Sequence, residues 1–120
     1  MRADAAAGPR TLTFTEPFVG GKTRYVDVGR KGISPGDVFL STDVPLFDLQ
    51  SGKRVGTSDG METFVSLRHQ GTVWLHVTGR LRDGRIEAAG LLRHSDRRQS
   101  LPVTGGTGAY AGARGRDDGH

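Results

Sequence analysis

Apolar positions in this chain come in short runs or alternate with polar ones, and no segment sustains a 3.6-residue apolar period. Glycine-centred turns separate the runs, the pattern of an all-β sandwich or barrel. Strands are predicted in "RTLTFTEPFV" (10–19), "DVFLSTDVPLFD" (37–48), "RVGTSDGMETFVSLR" (54–68), "TVWLHVTGRL" (72–81), "RIEAAGLLRH" (85–94) and "QSLPVTGG" (99–106), with a short extended piece at "TRYVDVG" (23–29). Pro45 marks a bulge or a strand end, because proline donates nothing to a ladder.

The clearest local unit is a hairpin at Asp83-Gly84, a strong two-residue turn signal. That turn sets Arg82 opposite Arg85, Leu81 opposite Ile86, Arg80 opposite Glu87 and Val77 opposite Gly90. Val73, Leu75, Val77 and Leu81 then share a face with Ile86, Ala88, Gly90 and Leu92. Trp74, His76, Thr78 and Arg80 share the other with Glu87, Ala89, Leu91 and Arg93. One apolar face and one amphipathic face suit a barrel wall with a filled or ligand-lined interior and a partner outside.

With 120 residues the chain is one domain with one modest core. It has no cysteine, which excludes disulfides and Cys-based zinc sites. "MRADAAAGPR" has no apolar segment and reads as a mobile tail rather than a secretory signal. No apolar run approaches the ~18 residues of a spanning helix. A soluble, cytoplasmic protein with no membrane partner is expected. The net charge is +4, but 14 arginines and 3 lysines are spread along the chain among 13 acids. Aromatics for base stacking are few, so nucleic acid is not an expected partner. His69, His94 and His120 share no strand face and make no metal site. His76 beside Trp74 is a packing residue or a general base. A Ser-His-Asp centre has no nucleophile elbow to sit on. Arg93, Arg97 and Arg98 read as an exposed basic turn or a carboxylate-binding mouth.

"LPVTGGTGAYAGARG" (101–115) poses a choice. Gly106, Gly108 and Ala111 fit G-x-G-x-x-G/A, but a dinucleotide loop needs a following helix and an acid about 20 residues on. The residues that follow, "GARGRDDGH", show no apolar period, and no Gly-Lys-Ser/Thr occurs for a Walker loop. The alternative reading uses more of the chain. Gly36-Asp37 opening a strand, Val55-Gly56 with Gly60, and the run from Val103 to Gly115 together resemble the allene oxide cyclase and dirigent superfamily.

That resemblance covers roughly residues 12–115 and implies an antiparallel eight-stranded barrel over 11–115, between tails 1–10 and 116–120. Gly105, Gly106, Gly108 and Tyr110 would form a sharp structural bend, glycines where the backbone bends and the tyrosine packed beneath. After this motif only "RDDGH" remains, too short and polar for a strand, so the barrel is expected to lack its last strand or strands, or to be completed by a partner chain. The resemblance implies a cofactor-independent, metal-free cyclase or isomerase that folds an apolar substrate inside its lumen, working by positioning and by stabilising charge. Its implied catalytic residues are Glu16, near where plant allene oxide cyclases place a charge-stabilising glutamate, Asp43, where those enzymes carry an amide, and Glu62, where they carry a cysteine. Substrate-binding residues would be Phe14, Leu40, Val73, Leu75, Val77, Ile86 and Leu92. A homo-oligomer, trimer or dimer, through the Trp74 face is also implied. A non-catalytic dirigent- or lipocalin-like binder and a truncated inactive paralogue stand as alternatives.

Overall fold

A computed structural model describes residues 2–5, 10–15, 21–67, 71–93 and 99–119. The described residues form nine strands: β1 (Arg2–Ala5), β2 (Arg10–Thr15), β3 (Lys22–Val26), β4 (Val38–Asp48), β5 (Arg54–Ser66), β6 (Thr72–Leu81), β7 (Gly84–Arg93), β8 (Gln99–Gly108) and β9 (Arg114–Gly119). All neighbours are antiparallel, in the order β2-β1-β9-β8-β7-β6-β5-β4-β3. β2 also meets β4 at Phe14↔Asp48 and Thr15↔Phe47. The pairings therefore run round eight strands, joined by a seam only two residue pairs long, while β3 lies along the first half of β4.

Both expected tails contain strands. β1 pairs with β2 and β9, and β9 pairs with β8 and β1. "RADA" and "RGRDDG" carry no apolar alternation, so pattern alone does not reveal them. Their backbone N–H and C=O groups find partners on both sides, and that requirement makes them strands. β9 thus adds a strand from residues the sequence suggested were too polar, while the sheet is joined only at the two-pair β2–β4 seam and does not close into a complete barrel.

Registers stack the inner face into rows. Leu46–Gly56–Leu81–Gly84–Gly108 is one, and Val44–Ser58–Gly79–Ile86–Gly106 the next. Ser41–Gly60–Val77–Ala88–Val103 follows, and then Phe39–Glu62–Leu75–Gly90. Ile86 packs with Val103, Tyr110 and Ala113, and Val77 with Ala88 and Leu101. Burying each large aliphatic side chain here contributes about 1.5–3 kcal/mol.

The hairpin register differs from expectation by two residues. Leu81 pairs with Gly84 and Val77 with Ala88, so Arg82-Asp83 forms the turn. Gly84 is needed elsewhere: a Cβ there would lie 2.0 Å from the Thr107 carbonyl of β8. A shift of two preserves side-chain parity, so the predicted sorting of faces holds. At the opening motif, a Cβ on Gly106 would lie 2.3 Å from the Tyr110 carbonyl, and Gly108 has φ +63°. Gly105 has open space and sits beside a register irregularity of β7 and β8. Tyr110 is buried under the bend.

Candidate ligand site on the inner face

Inner-face burial is uneven. Val73, Val77, Ile86 and Ala88 are buried, and so is Phe64. Between the Phe64–Val73 pair and the Val77–Ala88 pair, Glu62 and Leu75 remain partly exposed, and Phe39 beside them is 37% exposed. An accessible row between buried ones is where the inner face is left unfilled. Tyr25 extends it through its pairing with Phe39. Two aromatics, an aliphatic and one carboxylate thus stand in line across β3 to β6. Among the described residues no hydrogen-bond or ion-pair partner meets the Glu62 carboxylate. A half-buried acid on an apolar wall is costly unless something engages it, and it can accept a proton or stabilise a nearby positive charge.

A polar hub fixes one end of this row. Asp37 is fully buried. Its carboxylate accepts from Val28 N at 2.7 Å, Ser34 N at 2.9 Å, Ser34 Oγ at 3.3 Å and the Tyr25 hydroxyl. The Tyr25 hydrogen bond, then the Val28 and Ser34 amides, hold its carboxyl below the usual carboxylate range, against the opposing effect of burial. Tyr25 is pushed up to about 12, first by its hydrogen bond to Asp37, then by burial and the negative charges of Asp37 and Asp27. Gly36, at φ +95°, lets the chain turn so that its N–H meets the Phe64 carbonyl while Phe64 N–H meets that of Asp37.

The sequence-predicted residues divide. Glu62, Val73, Leu75, Val77, Ile86 and Leu92 share the inner face by register. Leu40 and Asp43 do not. Asp43 has φ +57° at a register irregularity where two residues, Thr42 and Asp43, oppose only Asp59. This bulge reverses the alternation along β4, so Phe39 and Ser41 face inward and Leu40 outward with Met61. The Asp43 carboxylate instead receives the Arg80 guanidinium at 3.0 Å, which also lies 3.0 Å from Asp59, on the outer surface. Phe14 pairs with Asp48 in register, and Glu16 lies outside the described residues. Tyr25, Asp37 and Phe39 were missed as site residues. Gly36-Asp37 was noted only as a motif, and Phe39 was hidden by the bulge.

The outer face carries Trp74 opposite Leu91, both exposed. It also holds a shallow groove of about 240 Å³ between Leu40, Met61, Asp59, His76 and Thr78. His76 Nε2 is 4.0 Å from Glu87 Oε1, which accepts from Thr78 Oγ1 at 3.4 Å. Among the described residues no group of three or more His, Asp or Glu is placed to hold a metal ion, and no helix is long and apolar enough to cross a membrane.

Comparison with known proteins agrees with this geometry. The family described as "Allene oxide cyclase barrel like domain" matches residues 17–117. The solved structure of a "Pyocyanin demethylase" superposes with TM-score 0.67 at 24% identity, covering 97% of this chain and 84% of that one. A second, titled "A nonspecific heme-binding cyclase catalyzes [4 + 2] cycloaddition during neoabyssomicin biosynthesis", gives TM-score 0.57 at 18% identity, covering 76% and 44%. At these identities the two show a shared fold. No curated protein matches the chain.

Proposed function

The chain belongs to the allene oxide cyclase barrel-like family, and from that premise we propose that it binds an apolar small molecule on the inner face and steers its cyclisation or isomerisation. The supporting observation is the row Tyr25–Phe39–Glu62–Leu75, partly accessible between buried rows and carrying one unpartnered carboxylate among the described residues. Phe39 and Leu75 hold the substrate in one folded shape, and such positioning supplies up to ~7–11 kcal/mol of a barrier. Glu62 stabilises positive charge as it develops or takes a proton. The protein self-associates through the outer face around Trp74 and Leu91.

A titration with N-phenyl-1-naphthylamine, a neutral apolar fluorophore, tests the binding step. Saturable enhancement is expected for the natural chain. Leu75→Asp should weaken it by about ten-fold or more, since a second carboxylate opposite Glu62 puts two unpaired like charges on an apolar wall, at a cost well over 1.4 kcal/mol. Glu62→Gln should leave dye affinity within about two-fold, a cost under ~0.5 kcal/mol. It should abolish stereoselective cyclisation in a panel of reactive polyenes and unsaturated epoxides. Unsaturable dye uptake would sink the binding reading. Selectivity surviving in Glu62→Gln would leave a non-catalytic guide in its place.

A further inference from the structure

The connection from β3 to β4 is a built loop with an exposed tip. The Gly32 N–H donates to Asp27 Oδ2 at 3.1 Å, and the Ser34 Oγ, whose one proton is shared between the Asp37 carboxylate and the Val28 carbonyl, lies 3.3 Å from each. Asp37 ties both stems through Val28 N and Ser34 N. Gly29 and Gly32, at φ +74° and +91°, turn the chain on either side of Arg30-Lys31. The tip therefore presents two exposed cations flanked by two exposed aliphatics, Val28 at 47% and Ile33 at 63%. Arg24, exposed on the adjoining β3 two residues before the strand ends, adds positive charge, while Lys22 lies at the strand's far end opposite Thr42. Asp37 is buried among its donors, and Asp27, which accepts from the Gly32 N–H, stays an exposed anion at the base of the loop, outnumbered at the tip by Arg30 and Lys31. Val65 and Leu67, at the end of β5 beside the Phe64–Asp37 pairing, are exposed as well.

We propose that this end of the molecule docks on an anionic lipid surface, with Val28 and Ile33 entering the headgroup–acyl boundary and Arg30 and Lys31, supported by Arg24, facing anionic headgroups. Cations beside an apolar tip are the combination that binds such a surface without spanning it. A nucleic-acid strand would match the charge but has no use for exposed branched aliphatics, since bases stack on aromatic faces. The loop is closed by its own hydrogen bonds, so little ordering cost accompanies docking. This inference stands apart from the inner-face reading, because vesicle binding requires no molecule inside the sheet.

Co-sedimentation with sucrose-loaded vesicles tests it, using phosphatidylcholine alone and phosphatidylcholine with a minority of phosphatidylserine. Binding is expected only to the mixed vesicles, weakening as salt rises. Arg30→Glu/Lys31→Glu should lower the partition coefficient by about twenty-five-fold or more, taking roughly five-fold for each of the two cations lost. Ile33→Ser should weaken binding at physiological salt. Lys53→Glu, at the β4–β5 turn at the other end of those strands, should leave it unchanged. Matching melting temperatures establish that the variants are folded. Equal pelleting with both vesicle types, or binding indifferent to Arg30 and Lys31, overturns the proposal. So does a Lys/Arg-dependent interaction with oligonucleotides in place of vesicles.

Discussion

Asp37 and Tyr25 give the clearest electrostatic consequences of single side chains. Asp37 titrates below its ordinary range when folded. Its stabilising contribution is therefore complete above the unfolded carboxylate value and is lost as pH falls through the depressed folded value. Tyr25 behaves oppositely at the alkaline end. Its hydroxyl stays protonated in the fold to about 12, against an ordinary value of 10.0. Its contribution is complete below pH 10 and disappears as pH climbs from there toward 12. Melting temperature against pH should show both arms. Asp37→Asn should flatten the acid arm and lower stability at neutral pH, because the amide sets donors against the donors that Asp37 accepts. Tyr25→Phe should remove the alkaline arm. An acid arm unchanged in Asp37→Asn would mean that other carboxylates carry it.

At the scale of the element, the bulge in β4 decides which residues form the site. Asp43 occupies left-handed backbone that a β-branched residue adopts only at about 1–3 kcal/mol. Its ion pair with Arg80 is exposed and contributes about 1 kcal/mol or less. Asp43→Gly should therefore change stability by less than about 1 kcal/mol, since glycine accepts the conformation. Asp43→Val should cost about 2–3 kcal/mol in chemical denaturation, from strain and the lost pairing together. Equal stabilities would show that the bulge relaxes instead of holding its geometry. The same bulge explains how much of the site was legible. Strands β4 to β8 were readable from alternation and turns, and the hairpin pattern put Leu75 and Val77 on one face; Glu62 was named only through the family resemblance, and the β5–β6 register sets it opposite Leu75 on that face. One extra residue at Thr42-Asp43 inverts the β4 alternation, so Phe39 faces inward where Leu40 was expected. The hairpin slip of two residues did no such harm, because parity survived it. Nor could composition reveal the hub at Asp37, since its partners Tyr25, Val28 and Ser34 converge only when the loop closes.

For the whole molecule, the circuit of strands depends on the least strand-like sequences. β9 carries "RGRDDG" yet is the bridge between β8 and β1, while β1 leads through β2 to the two-pair seam with β4. Ending the chain after Ala113 would leave β8 with one unpaired edge and β1 without its second neighbour. Exposed edges of this kind invite pairing between molecules. In sedimentation velocity the full chain should run as a discrete species, and Trp74→Asp should shift it to a smaller discrete species if the outer face joins the copies. The shortened chain should instead spread into a heterogeneous aggregate, whatever residue stands at position 74. The two variants thus separate an ordered contact through a strand face from disordered contact through a strand edge. If the shortened chain sediments as a single species and melts with the full one, β9 contributes no closure. The inner row at Glu62 would then have to be held by β3 to β8 alone.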